Sequence, residues 1–296
     1  MVSIAVIGPG AIGGTLAGWM AQNPAHALTL CVRTPFEGLE VETPSGLLTA
    51  DPRILSAPDA AQPVDWALVA TKTYDVAAAR PWLERLVGPR TRVAVVQNGV
   101  EHVARFAAIL PGRTIVPVVV DLPAQRRAPG RMIQQRRGWV VVPEGEDGAD
   151  FVALLAGSAA LDVSAVADWT SRAWAKLCLN CAGAVSTLTM RSTGPVWSPE
   201  IEAMVRGLVE ECAAVARAEG AVIDPAVIET VVEGARTAPE GAGHSMYVDR
   251  LMGRPMEIDA RNGVIVRLGR KHGIATPMNG LFVALLEASG SPWVQR

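Results

Sequence analysis

A chain of 296 residues, 50% hydrophobic and 19% charged, makes one large or two medium globular domains at roughly 150 residues each, and excludes a disordered or collagen-like polymer. Lys+Arg 27 against Asp+Glu 29 leaves a formal charge of -2, so there is no global basic field for a nucleic-acid backbone and no nucleic-acid partner is expected. Cys31, Cys178, Cys181 and Cys212 are too few for a disulfide framework in a chain this long and fit a reducing cytoplasm.

The chain opens on a stretch in which His26 is the only ionisable side chain before Arg33. No basic segment leads into it, and Gly8, Pro9, Gly10, Gly13 and Gly14 break it in the middle, so it reads as strand, turn and helix rather than as a leader or a membrane helix. No other run approaches the roughly 20 apolar residues of a bilayer crossing. The expectation is a soluble cytoplasmic protein without a membrane partner.

Short β-branched runs predict strands over 3–7, 28–32, 66–70, 92–97 and 114–120, with crossover helices over 11–22, 75–86 and 101–109. That alternation builds a parallel sheet covered on both faces. Residues 130–135 and 138–142 read as a late hairpin. After Asp168 strands vanish and Gly or Pro punctuates helical periodicity, which predicts helices over 169–188, 199–219, 225–235, 255–271 and 277–288. The fold class is therefore α/β: an N-terminal Rossmann-type parallel-sheet domain over 1–167 followed by an all-helical C-terminal domain over 168–296.

The segment from Ile4 to Gly14 carries G-x-G-x-x-G directly after a strand and directly before a helix. In that context Gly8 makes the tight turn, Gly10 lets backbone approach a pyrophosphate, Gly13 packs helix on strand, and the free amides of Ala11, Ile12 and Gly13 face the anion. A dinucleotide is expected there, the bland alternative being a glycine turn without ligand. The second strand ends Cys31-Val32-Arg33-Thr34, with no acid before Glu37. An arginine there accommodates a 2′-phosphate, whereas an acid would bond a ribose hydroxyl, so NADP(H) is favoured over NAD(H).

Between Ala173 and Met190 the only charged side chain is Lys176. A lone ammonium on so apolar a helix is costly unless it faces a cleft or a partner, and Asn180 sits one turn on along the same face. The pair can hold one ligand, lysine as proton donor and amide as oxygen anchor; the alternative is an ordinary snorkelling lysine. Cys178 and Cys181 form C-x-x-C without a second cysteine pair or a spaced histidine, so no metal is expected. Asn98 in Gln97-Asn98-Gly99 and Lys72 in Thr71-Lys72-Thr73 end strands on the side where such sheets bind ligands, although an Asn-Gly turn and a rim lysine would look the same. Ser245 offers a hydroxyl for a carboxylate or for a helix cap. Glu257 and Asp259 are placed in a first helical turn, where the dipole alone would justify them. His26, His102, His244 and His272 have no metal or triad spacing and receive no chemistry.

Taken together, Gly8-x-Gly10-x-x-Gly13, Arg33, Lys72, Gln97-Asn98-Gly99, Lys176 with Asn180, Ser245, Glu257-Ile258-Asp259 with Asn262-Gly263, and Gly273 to Asn279 resemble the ketopantoate reductase (2-dehydropantoate 2-reductase) family across essentially the whole chain. The resemblance implies NADPH-dependent reduction of a 2-keto acid to a 2-hydroxy acid on the route to pantothenate. It also implies Lys176 as general acid, Asn98, Asn180 and Ser245 on substrate, Asn98 also at the nicotinamide, and Glu257 at the cofactor. Two departures stand out: Ala184 occupies the place of a second family asparagine, and Ala260-Arg261 that of an aromatic or aliphatic pair. The expected substrate is thus ketopantoate or a related 2-oxo acid. A β-hydroxyacid dehydrogenase of the 3-hydroxyisobutyrate type is the near rival, disfavoured because Asp168 to Trp174 lacks its glycine-rich approach to the lysine. A non-catalytic NADP(H)-binding regulator is the rival from another class. The apolar helical domain offers a surface for a homodimer.

Overall fold

The structure, a computed structural model, describes residues 1–290, and the chain separates into two compact units. One comprises Met1–Gln97 and Glu101–Trp169; the other comprises Asn98–Val100 and the chain from Thr170 onward. Parallel-sheet and all-helical architectures are both present, as the sequence pattern predicts. Among the described residues no helix is long and apolar enough to cross a membrane.

In the first unit the strands are β1 (Val2–Ile7), β2 (His26–Cys31), β3 (Leu39–Thr43), β4 (Gly46–Ala50), β5 (Arg53–Leu55), β6 (Trp66–Val69), β7 (Arg92–Val95), β8 (Ile115–Pro117), β9 (Val119–Asp121), β10 (Ala124–Ala128), β11 (Arg131–Gln134), β12 (Gly138–Pro143) and β13 (Leu161–Val166). Helices α1 (Ala11–Met20), α2 (Val76–Leu86), α3 (His102–Ala107) and α4 (Glu146–Leu154) connect them. The main sheet runs β5-β2-β1-β6-β7-β8, every pair parallel. Side chains alternate across a strand, and β1 shows the result. Ile4 and Val6 enter a core with Leu16 and Met20 of α1, whereas Ala5 and Ile7 enter another with Leu83 and Leu86 of α2 and Phe106 of α3. Burial on both faces explains why β1 reads as a continuous apolar run.

Two further sheets, β10-β11-β3-β4 and β13-β12-β9, correct the sequence reading. The expected hairpin over 130–142 does not form. Strand β11 pairs antiparallel with β10 and parallel with β3, whereas β12 pairs with β9 and β13 in the other sheet. The single strand expected over 114–120 is likewise two: β8 closes the main sheet and β9 opens the third. The four-stranded sheet lies on α1, where a Cβ on Gly14 would sit 1.8 Å from Met132 Cε and one on Gly18 2.5 Å from Val41 Cγ2.

The second unit contains α5 (Trp169–Ala182), α6 (Ala184–Thr189), α7 (Pro199–Ala218), α8 (Pro225–Arg236), α9 (Ser245–Leu251), α10 (Val264–His272) and α11 (Pro277–Gly290). Ser198 and Asp224 cap α7 and α8 by accepting from Ile201 N and Ala226 N, each ahead of a proline at the first helical position. Glu211 on α7 accepts from the Met278 and Asn279 amides at 2.7 and 2.8 Å and so caps α11. The helix expected over 169–188 breaks at Gly183, whose hypothetical Cβ would lie 2.6 Å from His244 Cδ2. The helix expected from Pro255 begins at Ile258 and runs through a π-turn, Asp259–Gly263, into α10. Glu257 therefore precedes the first turn instead of lying in it.

Candidate functional site

The order of chain crossovers in the main sheet reverses between β1 and β6, which opens the crevice where open α/β sheets hold ligands, beyond the strand C-termini. Gly8, Arg33, Thr71-Lys72 and Gln97 all follow strands at that end: β1, β2, β6 and β7 respectively.

Each glycine of the turn has a separate steric reason. Gly8 has φ +79, and a Cβ there would lie 2.8 Å from Thr71 Cγ2. A Cβ on Gly13 would lie 2.6 Å from Ala70 Cβ and 2.8 Å from the Gly8 carbonyl, so the start of α1 and the end of β6 touch through it. A Cβ on Gly10 would meet only the Gly8 oxygen, at 4.0 Å. Among the described residues nothing demands glycine at position 10, and the space above it is open. Gly10 caps α1 without a side-chain bond, and the first turn holds no acid, so the amides of Ala11, Ile12 and Gly13 are presented to an anion. These features fit a pyrophosphate. Arg33 is 89% exposed, and its Nη2 lies 3.8 Å from Asp75 Oδ2 in the turn that follows Lys72. Lys72 itself is half-buried.

Between β7 and α3 a buried hydrogen-bonded knot fixes the loop. Gln97 Nε2 donates to the Thr71 carbonyl at 3.0 Å and to Thr71 Oγ1 at 3.2 Å, and Gln97 Oε1 accepts from Arg105. His102 Nε2 lies 2.8 Å from the Gln97 carbonyl, which fixes Nε2 as the protonated nitrogen. Sequence spacing selects neither His102 nor Gln97 as a site residue, because the partners that hold them, the Gln97 and Thr71 carbonyls, Thr71 Oγ1 and Arg105, form no motif with them.

Directly after Gln97, Asn98 clusters with the helical unit, where its Nδ2 donates to Glu257 Oε2 at 2.9 Å. Glu257 and Asn180 are buried, and Lys176, one turn before Asn180 on α5, is half-buried. Ser245 is exposed at the first position of α9; the capping position belongs to His244, so the capping alternative for Ser245 does not apply. Cys178 and Cys181 are fully buried beside Cys212, with the Cys178 and Cys212 sulfurs 3.6 Å apart, and burial pushes the Cys212 thiol well above its usual range. Ala184 is fully buried in the same apolar core.

Arg261, which the sequence shows only as a departure from the family pattern, is a buried cation. Its guanidinium is 1% exposed, and Nη2 donates to the Asn180 carbonyl at 2.6 Å. The neighbouring Asn262 donates to the Cys181 carbonyl and to Asn279 Oδ1, tying the π-turn to α5 and α11.

Comparison with known proteins meets this architecture in both units. A family model described as ketopantoate reductase PanE/ApbA matches residues 4–147, and its C-terminal counterpart matches residues 168–289. A 2-dehydropantoate 2-reductase of Caulobacter vibrioides is 53% identical over 289 residues, spanning 98% of this chain and 99% of that protein. One of Mycobacterium tuberculosis is 39% identical over 292 residues, spanning 97% of each. The crystal structure of a PanE/ApbA family ketopantoate reductase from Ralstonia eutropha superposes with a TM-score of 0.89 at 31% identity, over 97% of this chain and 98% of that one. Glycine turn, Asn98 loop, lysine helix and π-turn all fall within matched segments, and the chain belongs to the ketopantoate reductase PanE/ApbA family.

Proposed function

We propose that the chain reduces a 2-keto acid to the corresponding 2-hydroxy acid with NADPH, ketopantoate being the first substrate to try because the 53% and 39% identical relatives bear the name 2-dehydropantoate 2-reductase. One observation carries the reading. Asn98 follows a strand end of the nucleotide unit by three residues, yet it hydrogen-bonds Glu257 in the unit that carries Lys176 and Asn180. Asn98 is thereby anchored in the unit that also holds the groups suited to a keto acid.

The reduced nicotinamide supplies the hydride, and the turn at Gly8, Gly10 and Gly13 with the amides of Ala11 and Ile12 binds its pyrophosphate. Arg33 takes the 2′-phosphate, and Lys72, next to Thr71 in the Gln97 knot, lines the same loop. Reduction of the carbonyl carbon develops negative charge on its oxygen. The Lys176 ammonium stabilises that charge and donates a proton to the oxygen, a role worth typically 10²–10⁴-fold. Asn180 and Asn98 offer amides to the substrate oxygens, Ser245 a hydroxyl to the carboxylate, and Glu257 fixes the Asn98 amide by accepting from it. The protein acts as a homodimer in this reading, and in the cytoplasm, where NADPH is available.

The test is a panel of 2-keto acids, ketopantoate included, mixed with NADPH and the purified chain, following loss of reduced-nicotinamide absorbance. Turnover of ketopantoate or a branched relative is expected. A parallel assay offers 3-hydroxy acids with the oxidised cofactor: turnover there alone would make the chain a β-hydroxyacid dehydrogenase, and NADPH binding without turnover in either assay would make it a nucleotide-binding regulator.

A further inference from the structure

The least expected charge in the helical unit is Arg261. Burying a guanidinium costs several kcal/mol unless it is paired and its donors are satisfied. Arg261 is 1% exposed, and although Nη2 reaches the Asn180 carbonyl, Nε and Nη1 are buried without a hydrogen-bond partner among the described residues. A side chain kept only to close a helix end would be cheaper as an apolar residue with a bound water.

Its surroundings show what the charge does. Two buried carboxylates share its neighbourhood, Glu257 and Asp249, and each is held by another group: Glu257 by Asn98, and Asp249 by Arg254 at 3.0 Å. Burial alone would drive the guanidinium pKa down, and those two acids oppose it. The backbone also cooperates. Arg261 is the central residue of the π-turn Asp259–Gly263, and Ala260, Arg261, Asn262 and Gly263 are all buried. A regular α-helix on a core surface exposes part of every turn, so the inserted residue of the π-turn is what brings Arg261 inward.

Resting on the keto acid reading above, we propose that Arg261 is a positioning residue of this site: its sealed guanidinium ties down the Asn180 carbonyl, and its charge attracts the buried Glu257 side chain that accepts from the Asn98 amide. Both substrate-facing amides then depend on one buried cation that contacts no substrate itself. Arg250 provides an instructive contrast. It donates to the Thr187 and Leu188 carbonyls at 2.5 and 2.7 Å and closes α6 in the ordinary way, with a hydrogen bond to each carbonyl.

Two variants separate charge from hydrogen bonding in the full-length enzyme. R261Q keeps an N–H for the Asn180 carbonyl and removes the charge; R261K keeps the charge as a single ammonium and gives up the guanidinium fork. For the best 2-keto acid of the wild-type panel, R261Q is expected to raise KM at least tenfold, with NADPH affinity by fluorescence titration within twofold of wild type. R261K is expected to stay within threefold of wild type in KM. If R261Q matches wild type in KM and merely lowers the melting temperature, Arg261 is a helix cap and the inference is overturned. Where R261Q does not fold, R261K decides alone: KM within threefold supports the charge role, and a tenfold rise overturns it. An inactive wild-type chain would instead overturn the underlying reading, which an active wild type with an unchanged R261Q would leave standing.

Discussion

His102 Nε2 sits 2.8 Å from the carbonyl oxygen of Gln97, and the ring packs edge-on against Trp169 with centroids 5.5 Å apart. The imidazole is fully buried, and burial pushes its pKa down to about 4, the hydrogen bond to Gln97 opposing only part of the shift. His102 is therefore neutral in the native state through the whole range in which a free histidine titrates. Between the unfolded value near 6.5 and about 4 the unfolded chain binds more protons than the folded one, so stability falls as pH drops through that window. The full effect amounts to about 3 kcal/mol below the lower value, from a difference of roughly 2.5 in pKa at 1.36 kcal/mol each. Urea unfolding at a series of pH values checks it: His102→Gln, whose amide can still donate to Gln97, is expected to show a shallower decline than wild type between pH 6.5 and 4. Parallel curves for the two proteins would remove His102 as the source.

The three glycines of the nucleotide turn separate folding from binding. Gly13→Ala forces a methyl within 2.6 Å of Ala70 Cβ and 2.8 Å of a backbone oxygen, and overpacking of that kind costs about 1–3 kcal/mol. Gly10→Ala meets no protein atom closer than 4.0 Å, so its melting temperature is expected to match wild type. NADPH affinity is expected to fall at least tenfold in both. An unstable Gly10→Ala, or one that binds NADPH normally, would mean that the space above position 10 is not the cofactor's.

How much of this was legible in the sequence depends on whether the cause was local. Strands β1, β2, β6 and β7 were readable because they are buried on both faces and so spell continuous apolar runs, and the glycine turn because its spacing is itself the mechanism. Strands β3 and β4 were missed. Each has one face toward α1 and one toward solvent, and Leu47 and Leu48 sit among turn residues that mask the alternation. The spurious hairpin at 130–142 arose because pairing partners are chosen by sheets elsewhere in the chain. The break at Gly183 is likewise set by His244, about sixty residues away. Arg261 was noticed only as a departure from family habit, since a π-turn has no sequence signature and nothing local says that its charge is buried.

Lys176 carries the proton step in the proposed reaction, so Lys176→Ala is expected to lower kcat for keto acid reduction by about 10²–10⁴-fold while NADPH affinity stays within twofold. Asn180→Ala should act differently. Losing an amide that binds ground and transition state alike raises KM, by about tenfold for one hydrogen bond near 1.4 kcal/mol, with a smaller change in kcat. Steady-state kinetics with the two variants, read beside a cofactor titration, distinguishes these roles. A Lys176→Ala enzyme turning over at near wild-type rate would take the lysine out of the chemistry.

Cofactor choice is the last consequence, and it hinges on the pair formed by Arg33 and Asp75. Arg33 is 89% exposed and, among the described residues, held only by a 3.8 Å contact with Asp75, so the pair itself is weak and contributes well under ~1 kcal/mol to folding. An exposed guanidinium loosely tethered to an acid is poised to exchange that acid for a 2′-phosphate, which offers more charge and bidentate geometry. Arg33→Ala is expected to weaken NADPH by about 10–100-fold, the range of a charge-assisted contact of 1.5–3 kcal/mol, and to leave NADH nearly unchanged. Asp75→Asn should work in the opposite sense. Releasing Arg33 from its competitor and removing a negative charge near the phosphate strengthens NADPH by a few-fold without touching the melting temperature. Fluorescence titrations of both dinucleotides against both variants give four affinities. Equal losses for NADPH and NADH in Arg33→Ala would show that position 33 does not read the 2′-phosphate, and the assignment of NADPH would then have to rest on another residue.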